Sequence, residues 1–282
     1  MVTQEDIQSA YNEKYVLRNA HHPFIVRLRY SFHNENNVYL IMDYCPGGEL
    51  YHHLKKLSAL DEDVVKFYIA ELVLALEYLH DHLNVIYRDL KPENILLDEK
   101  GHVCLIDFGL TKTEKTAKSI CGTLQYIAPE VFQGRGYDMR VDWWSLGCVM
   151  YELLIGRPPF NGKDREEIEK SIKYDRPEMK GYLSRNAQDL LKKLMHKNPN
   201  QRFGSRGAYE IKQHKFFSDI NWNEVYDKKN SPPIKPQVAK SDDVRNFDKE
   251  FIEQVPAETP RNELVTDEEN KKFDWKNFNY SQ

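Results

Sequence analysis

Residues 87–98 (Tyr-Arg-Asp-Leu-Lys-Pro-Glu-Asn-Ile-Leu-Leu-Asp) constrain the fold and chemistry of this chain more than any other stretch. Within it, Asp89, Lys91 and Asn94 supply a carboxylate, a cation and an amide oxygen. A hydroxyl that attacks phosphorus needs a carboxylate within hydrogen-bonding reach, a cation for the charge on the transferred oxygens and an oxygen ligand for magnesium. The alternative is an ordinary polar turn, in which Asp, Asn and Pro serve only turn geometry. Apolar residues on both sides predict two short strands, which would place the polar side chains at a loop tip on a rigid base.

A second set of short motifs follows in a fixed order. Residues 107–109 (Asp-Phe-Gly) come after the strand-like run 103–106, and they combine a hard oxygen ligand suited to magnesium with a residue that permits a sharp turn. Residues 121–123 (Cys-Gly-Thr) and 128–130 (Ala-Pro-Glu) then close the segment. Each motif alone is a weak signal. At these distances from residues 87–98, the ordered set is a strong one.

Composition excludes several functional classes. The 282 residues are 40% hydrophobic and 12% aromatic, which supports a large core, and 40 basic against 44 acidic residues favour no nucleic-acid surface. The four cysteines form no C-x-x-C pair, which predicts buried thiols in a reducing compartment rather than disulfides or a zinc site. No apolar run reaches the length of a membrane span and no signal-peptide pattern occurs, so we expect a cytoplasmic protein.

Hydrophobic periodicity and breaker residues predict the main helices and strands. An apolar helix is expected to begin near Asp61, because an acidic first turn complements the helix dipole. After Ser218 charge and proline rise, and composition alone predicts a disordered acidic tail. The other predicted elements are a helix over 3–20, strands over 25–32 and 38–42 joined at 34–37, a hinge at 45–48, and helices over 141–155 and 187–195.

The motifs resemble those of the AGC group of serine/threonine protein kinases, which contains protein kinase B and the cyclic-AMP-dependent kinase. Residues 87–98 look like the catalytic loop of that family, whose template is well established. The order of the tail fragments is similar to an AGC C-terminal extension, and this outweighs the expectation of disorder. The stretches that carry the resemblance to the group are 107–112, 119–123, 141–144, 232–236, 246–248, 259–260 and 275–280.

The resemblance implies an α+β protein-kinase-like two-lobe fold. Residues 1–43 would be a remnant of the N-lobe with a truncated sheet, and 44–48 would be the hinge. Residues 49–217 would form a mostly helical C-lobe, and 218–282 an extended C-terminal tail.

The same resemblance implies ATP and Mg²⁺ as cofactors and assigns the site residues. Asp89 would accept or orient the proton of the substrate hydroxyl, Lys91 would contact the transferred phosphate, and Asn94 with Asp107 would hold magnesium. Met42 would be the gatekeeper before the adenine-facing hinge, and Leu96 the floor under the base. The full set of nucleotide-binding positions would be Glu13, Met42, Asp43, Cys45, Glu49, Leu96, Asp107 and Phe247.

Substrate and regulatory residues are implied in the same way. Glu49 and Glu93 match acidic positions that recognise arginine upstream of the phosphorylated residue, and Thr123 matches serine/threonine specificity. Ser119 matches the activation-loop phosphosite, whose phosphate could pair with Arg88, and Thr259 matches the turn-motif phosphosite. The expected partners are basophilic protein substrates and an upstream activating kinase. Neither nucleic acid nor a membrane span is expected, and the protein should be a monomer.

One departure from the family is an absence. The 282 residues contain no G-x-G-x-x-G stretch and no V-A-I-K lysine, so Glu13 lacks its expected partner and the remaining hairpin would have an unpaired edge. A truncated product or incomplete gene model of an active kinase is the favoured explanation, because the residues for phosphoryl transfer after Glu13 are retained. The alternatives are a kinase-like binding module, or a lid supplied by a separate chain. Little or no activity is expected of the isolated polypeptide, because electrostatic stabilisation at the phosphates is a large share of catalysis.

A second departure lies near the end of the chain. Asn279 stands where the hydrophobic motif often has a phosphorylated Ser or Thr, and Trp275 replaces its first Phe. The tail is still expected to dock through Trp275, Phe278 and Tyr280, without control by phosphorylation at residue 279.

Overall fold

The computed structural model describes residues 4–34, 37–113, 115–255 and 278–282. The helices are α1 (Gln4–Asn19), α2 (Leu50–Leu57), α3 (Glu62–Asp81), α4 (Arg140–Ile155), α5 (Arg165–Tyr174), α6 (Arg185–Leu194), α7 (Tyr209–Lys212), α8 (Trp222–Tyr226) and α9 (Lys249–Ile252). The strands are β1 (Leu28–His33), β2 (Val38–Met42), β3 (Gly48–Glu49), β4 (Ile95–Leu97), β5 (Val103–Leu105) and β6 (Tyr280–Ser281). Two sheets form, in the orders β2-β1-β6 and β3-β4-β5.

Helices α3 and α4 form the centre of the larger, helical part. α3 begins after Asp61 with two acidic residues in its first turn, as the sequence predicts. In α4 only Arg140 and Ile155 are not buried, and the helix ends at Gly156, whose φ of +85° is a left-handed conformation that glycine adopts at low cost. Both helices are apolar nearly all round and therefore belong inside the core.

The smaller part contains an open sheet whose third strand comes from the far end of the chain. β1 pairs antiparallel with β2 on one side and with β6 on the other, where Ser31 stands opposite Tyr280. Phe278 is fully buried, and its carbonyl accepts a bond of 2.6 Å from the Ser31 hydroxyl. The ring of Phe278 meets Tyr11 of α1 edge-on, with 5.6 Å between the ring centroids. The sheet thus has three strands instead of the predicted two, since the chain returns to it.

Within the described ranges no strand pairs with the outer edge of β2. Phe278 and Tyr280 dock as expected, whereas Trp275 lies outside the described residues.

Two predicted strands are shorter or absent. β1 begins at Leu28 rather than residue 25, because Ile25 instead makes a parallel bridge with Leu105 and links the smaller part to β5. The apolar run before the catalytic loop is no strand. Only Ile86 pairs there, with Lys112, because the next two backbone N–H groups bind a side chain of α4.

The segment that composition predicts to be disordered contacts the rest of the molecule in several places. Lys228 pairs with Asp98 at 3.0 Å, and the backbone N–H of Ile234 donates to Tyr68. The side-chain amide of Asn246 donates to the carbonyl of Pro46 at 2.9 Å. Residues 219–255 therefore run across the helical part to the hinge, whereas residues 256–277 of the predicted extension lie outside the described residues.

No helix in the ranges that the structure describes combines the length and the apolar character needed to cross a membrane.

Candidate active site

The carboxylate of Asp89 is the best-held group of the site. Asp89 is 5% exposed, and its Oδ1 accepts bonds of 3.0 Å from both the backbone N–H and the hydroxyl of Thr123. Its Oδ2 accepts from the amide of Asn94 at 3.0 Å and pairs with Lys91 Nζ at 2.9 Å. Lys91 also donates to the hydroxyl of Thr123. The structure thus brings together four of the predicted site residues, and their contacts fix the direction of the carboxylate.

The loop that carries Asp89 is anchored by Asp142 of α4. Asp142 is fully buried, and its carboxylate accepts from the backbone N–H groups of Tyr87 at 2.9 Å and Arg88 at 2.8 Å. His80 of α3 contributes a third bond, from Nε2 to Oδ2 at 2.7 Å. Arg88 has a φ of +72°, a conformation that costs a non-glycine residue free energy. Three bonds to one carboxylate therefore hold a strained turn in place.

Sequence reasoning assigned no role to Asp142. The available signal is a single carboxylate within the apolar run Val141–Trp144, because a buried charge requires partners.

Asn94 and Asp107 lie at the same end of the β4–β5 hairpin. Ile95 stands opposite Leu105, and the N–H of Ile106 donates to the carbonyl of Asn94 at 3.1 Å. Asp107 also has a left-handed backbone, with a φ of +59°. Two strained residues therefore occur in the site, Arg88 directly before Asp89 and Asp107 directly after Ile106.

The donor set at this end of the hairpin fits magnesium. Both bonds from Asn94 to Asp89 use Nδ2, so the amide oxygen takes no part in holding Asp89. Asp107 adds a carboxylate, and magnesium prefers one or two protein oxygens completed by water and phosphate. Among the described residues no cluster of three or more His, Cys, Asp or Glu side chains could hold a metal. A site with few protein ligands agrees with that finding.

Glu13 faces the Asp-Phe-Gly turn. Burial raises the pKa of Glu13, the charge of Asp107 raises it further, and a bond from the backbone of Phe108 opposes both. One helical turn earlier, the hydroxyl of Ser9 donates to the carbonyl of Gly109. Helix α1 is therefore attached to the turn that carries Asp107. The lysine that the resemblance assigns to Glu13 does not occur in the sequence.

The hinge positions lie between β2 and β3. Met42 ends β2 and is 36% exposed, and the backbone N–H of Asp43 donates to the carbonyl of Arg27. Leu96 stands opposite Glu49 where β3 pairs with β4. Met42 therefore precedes the hinge, and Leu96 pairs with the residue that directly follows it.

Phe247 reaches the hinge from the tail. Its ring stacks on Tyr44, with centroids 5.7 Å apart and ring planes at 19°. The hydroxyl of Tyr44 also donates to the carbonyl of Asp243 at 2.9 Å. The tail thereby brings Phe247, a predicted nucleotide-binding residue, beside the hinge.

Glu49 and Glu93 form a pair of acidic groups beside the catalytic loop. Burial raises the pKa of Glu49, and the charge of Glu93 raises it further, with Lys55 partly opposing. Glu93 Oε2 is buried and finds no hydrogen-bond partner in the described part of the chain. Because a buried unpaired carboxylate oxygen is costly, this pair would be stabilised by a cation from outside.

A third acid, Glu152 of α4, interacts with Glu93 and makes stability depend on pH. Burial raises the pKa of Glu152 to about 7, the charge of Glu93 contributes, and a bond from the Tyr126 hydroxyl opposes the rise. The ordinary pKa of a glutamate is 4.5, so between pH 4.5 and pH 7 the folded state binds more protons at Glu152 than the unfolded state does. The free energy of unfolding should therefore fall as pH rises from 4.5 through 7. We expect the Glu152→Gln variant to lose less stability than the parent chain between pH 5 and pH 8. Urea unfolding at both pH values checks this, and equal losses would contradict it.

Ser119 is exposed and lies against Arg88. Arg88 Nη1 donates to the hydroxyl of Ser119 at 2.9 Å and to that of Tyr137 at 3.3 Å. Tyr137 in turn donates to the backbone carbonyl of Ser119 at 2.6 Å. A guanidinium thus already contacts the predicted phosphosite. Thr259, the other predicted phosphosite, lies outside the described residues.

Comparison with known proteins identifies the family. The family model of the protein kinase domain matches residues 1–217. The chain belongs to the protein kinase family. This confirms the predicted kinase-like α+β fold, with its small N-lobe sheet and helical C-lobe.

Its relatives include serine/threonine kinases of the AGC group. The chain is 49% identical over 254 residues to ribosomal protein S6 kinase 2 alpha of Xenopus laevis, an alignment that covers 88% of this chain and 34% of that protein. Ribosomal protein S6 kinase 2 beta of Xenopus laevis is also 49% identical over 254 residues, with 88% and 40% covered. Ribosomal protein S6 kinase alpha-1 of Homo sapiens is 48% identical over 254 residues, with 88% and 34% covered. The chain therefore spans well under half the length of these relatives.

Proposed function

We propose that this kinase domain transfers the γ-phosphoryl group of ATP to serine or threonine in basic protein substrates. The observation that carries the proposal is the Asp89 carboxylate, held by Lys91, Asn94 and Thr123 at 2.9–3.0 Å. A fixed carboxylate beside a cation and a magnesium-type oxygen ligand is the arrangement that phosphoryl transfer requires.

Each residue would then have one task. Asp89 would orient the substrate hydroxyl and accept its proton, while Lys91 would contact the oxygens of the transferred phosphoryl group. Asn94 and Asp107 would hold magnesium, which supplies charge neutralisation at the phosphates. Thr123 would keep the carboxylate of Asp89 aimed at the acceptor, since it donates two bonds to one oxygen.

The acidic pair supports a preference for arginine before the acceptor. Glu93 has a buried, unpartnered oxygen, and the pKa of Glu49 is raised despite the opposing charge of Lys55, so both carboxylates would be stabilised by a further cation. An arginine side chain would satisfy two acids at once through its planar fork. We therefore expect replacement of that arginine in a substrate to weaken phosphorylation by about tenfold or more.

The direct test is magnesium-dependent transfer of labelled γ-phosphate to a serine peptide rich in arginine. Matched peptides carry alanine for arginine, or tyrosine for the acceptor serine, and chelation of magnesium is the blank. In a product with restored upstream coding sequence, the proposal expects transfer to the first peptide, weaker transfer to the alanine peptide and none to the tyrosine peptide. This chain alone is expected to transfer little.

A second candidate is a kinase-like binding module that does not transfer phosphate. Failure of transfer both in this chain and in a product with restored upstream coding sequence would support the module. Transfer by either would reject it.

Regulation through Ser119 is a further part of the proposal, and it assumes an upstream kinase. A phosphate on Ser119 would form charge-assisted bonds with Arg88, whose guanidinium already reaches the hydroxyl. We expect treatment with an activating kinase to raise transfer by at least about tenfold in the parent chain and not in Ser119→Ala. Ser218→Ala, at another exposed serine, is the matched control and should respond like the parent. Full activation of Ser119→Ala would reject this role.

A further inference from the structure

Two of the four cysteines lie side by side behind the hinge. Cys45 is in the hinge and 4% exposed, and Cys104 is the central residue of β5. The fold brings them together because the N–H of Gly47 donates to the carbonyl of Leu97 at 3.0 Å, which lays the hinge along the β4–β5 hairpin. Both residues line one cavity, and Cys45 contributes to the raised pKa of the Cys104 thiol. Both are free thiols in this structure.

A cavity of about 540 Å³ gives small molecules access to this pair. Cys45 and Cys104 both line it, together with the charged side chains of Asp43, Asp98 and Lys228. The other two cysteines differ. Cys148 is fully buried in α4, and Cys121 lies 3.9 Å from the hydroxyl of Tyr137, away from this cavity.

We propose that Cys45 and Cys104 are a modification site, at which a peroxide forms a reversible disulfide that ties the hinge to the β4–β5 hairpin. The proposal concerns the thiols alone and does not depend on phosphoryl transfer. Cysteines bridged by a disulfide must occupy neighbouring positions. The Gly47–Leu97 bond and the pairing of Leu96 with Cys104 bring the hinge beside β5, and both cysteines line one cavity.

The chemistry balances with hydrogen peroxide as the oxidant. The thiolate of one cysteine attacks a peroxide oxygen, the O–O bond breaks, and a sulfenic acid and hydroxide result. The second sulfur attacks the sulfenic sulfur, the S–O bond breaks, and water leaves with the proton of the second thiol. The two thiols are oxidised by two electrons in total, and the peroxide is reduced to two water molecules.

Either sulfur can be oxidised first, because the resulting disulfide is the same. A low molecular weight thiol reverses the reaction by exchange.

The disulfide would restrain the segment that joins the two lobes. It links the hinge to the strand pair that carries Leu96, at the predicted floor of the nucleotide site. Closing a loop from residue 45 to residue 104 also lowers the entropy of the unfolded chain. Oxidation should therefore raise the midpoint of thermal unfolding by several degrees, and dithiothreitol should reverse the rise.

The experiment treats the purified, reduced chain with a small excess of hydrogen peroxide and measures its intact mass. We expect a loss of two hydrogen atoms, and a peptide joining Cys45 to Cys104 in a non-reducing digest. Cys45→Ser and Cys104→Ser should each abolish this product and the rise in melting temperature. Cys121→Ser, the matched control, should retain both.

Other outcomes would overturn the proposal. These are oxidation of single cysteines to sulfinic acid without a crosslink, a bridge that involves Cys121 or Cys148, or a disulfide between two chains. Circular dichroism of each reduced variant checks that it is folded. Should a serine variant not fold, the digest of the parent chain still decides the pairing.

Discussion

The Asp89→Asn variant is expected to transfer phosphate about 10²–10⁴ times more slowly than the parent chain or the matching full product. The asparagine amide cannot accept the proton of the substrate hydroxyl. With its nitrogen at the position of Oδ2, it would also place a donor against the donors of Asn94 and Lys91. The folded state should lose only roughly 1 kcal/mol, because the other end still accepts from Thr123. Initial rates with saturating ATP and urea unfolding of the same samples measure the two effects.

The matched control for this prediction is Asp63→Asn. It makes the same chemical change at a side chain that is 95% exposed, so the transfer rate should not change. A rate within threefold of the parent for Asp89→Asn would show that another group accepts the proton.

Replacement of Asp142 by alanine should lower the free energy of unfolding by about 3–5 kcal/mol. The carboxylate is fully buried and serves three donors, namely the N–H groups of Tyr87 and Arg88 and the imidazole of His80. Alanine would leave these donors without partners, and the strained backbone of Arg88 would lose its support. Urea unfolding measures the loss.

Two further variants make the Asp142 prediction sharper. Asp142→Asn should also be destabilising, because its amide nitrogen would face donors that now meet an acceptor. Asp63→Ala should cost well under 1 kcal/mol, since an exposed acid in a first helical turn contributes little. If Asp142→Ala lowers the free energy of unfolding no more than Asp63→Ala does, then the loop does not depend on the Asp142 carboxylate.

The elements that the sequence predicts well are those with a strong local pattern. α3 and α4 are long and apolar, with an acidic start in α3 and a glycine stop in α4, and β2 occupies its predicted residues. β6 is too short to give a pattern. β6 is a strand because it pairs with β1, which lies almost a full chain length earlier in the sequence. The start of β1 is displaced for a related reason, since Ile25 pairs with Leu105 instead.

The site residues also divide into those that local sequence brings together and those that only tertiary packing brings together. Asp89, Lys91 and Asn94 lie within six residues, so local sequence is enough to bring them together. Asp142 anchors this loop from helix α4, and it lies 54 residues after Arg88 in the sequence. The contact of Cys45 with Cys104 likewise arises from the course of the hinge along a hairpin. Such contacts depend on tertiary packing, and no spacing in the sequence reveals them.

The pairing of β1 with β6 also has a consequence for synthesis of the protein. Ser31 and Phe278 are 247 residues apart, so at about 5–20 residues per second β1 waits roughly 12–50 s for its second neighbour. During that interval the edge of β1 that β6 later covers is open to other chains. The β1 edge is therefore exposed to wrong strand pairing until the C-terminal strand has been synthesised.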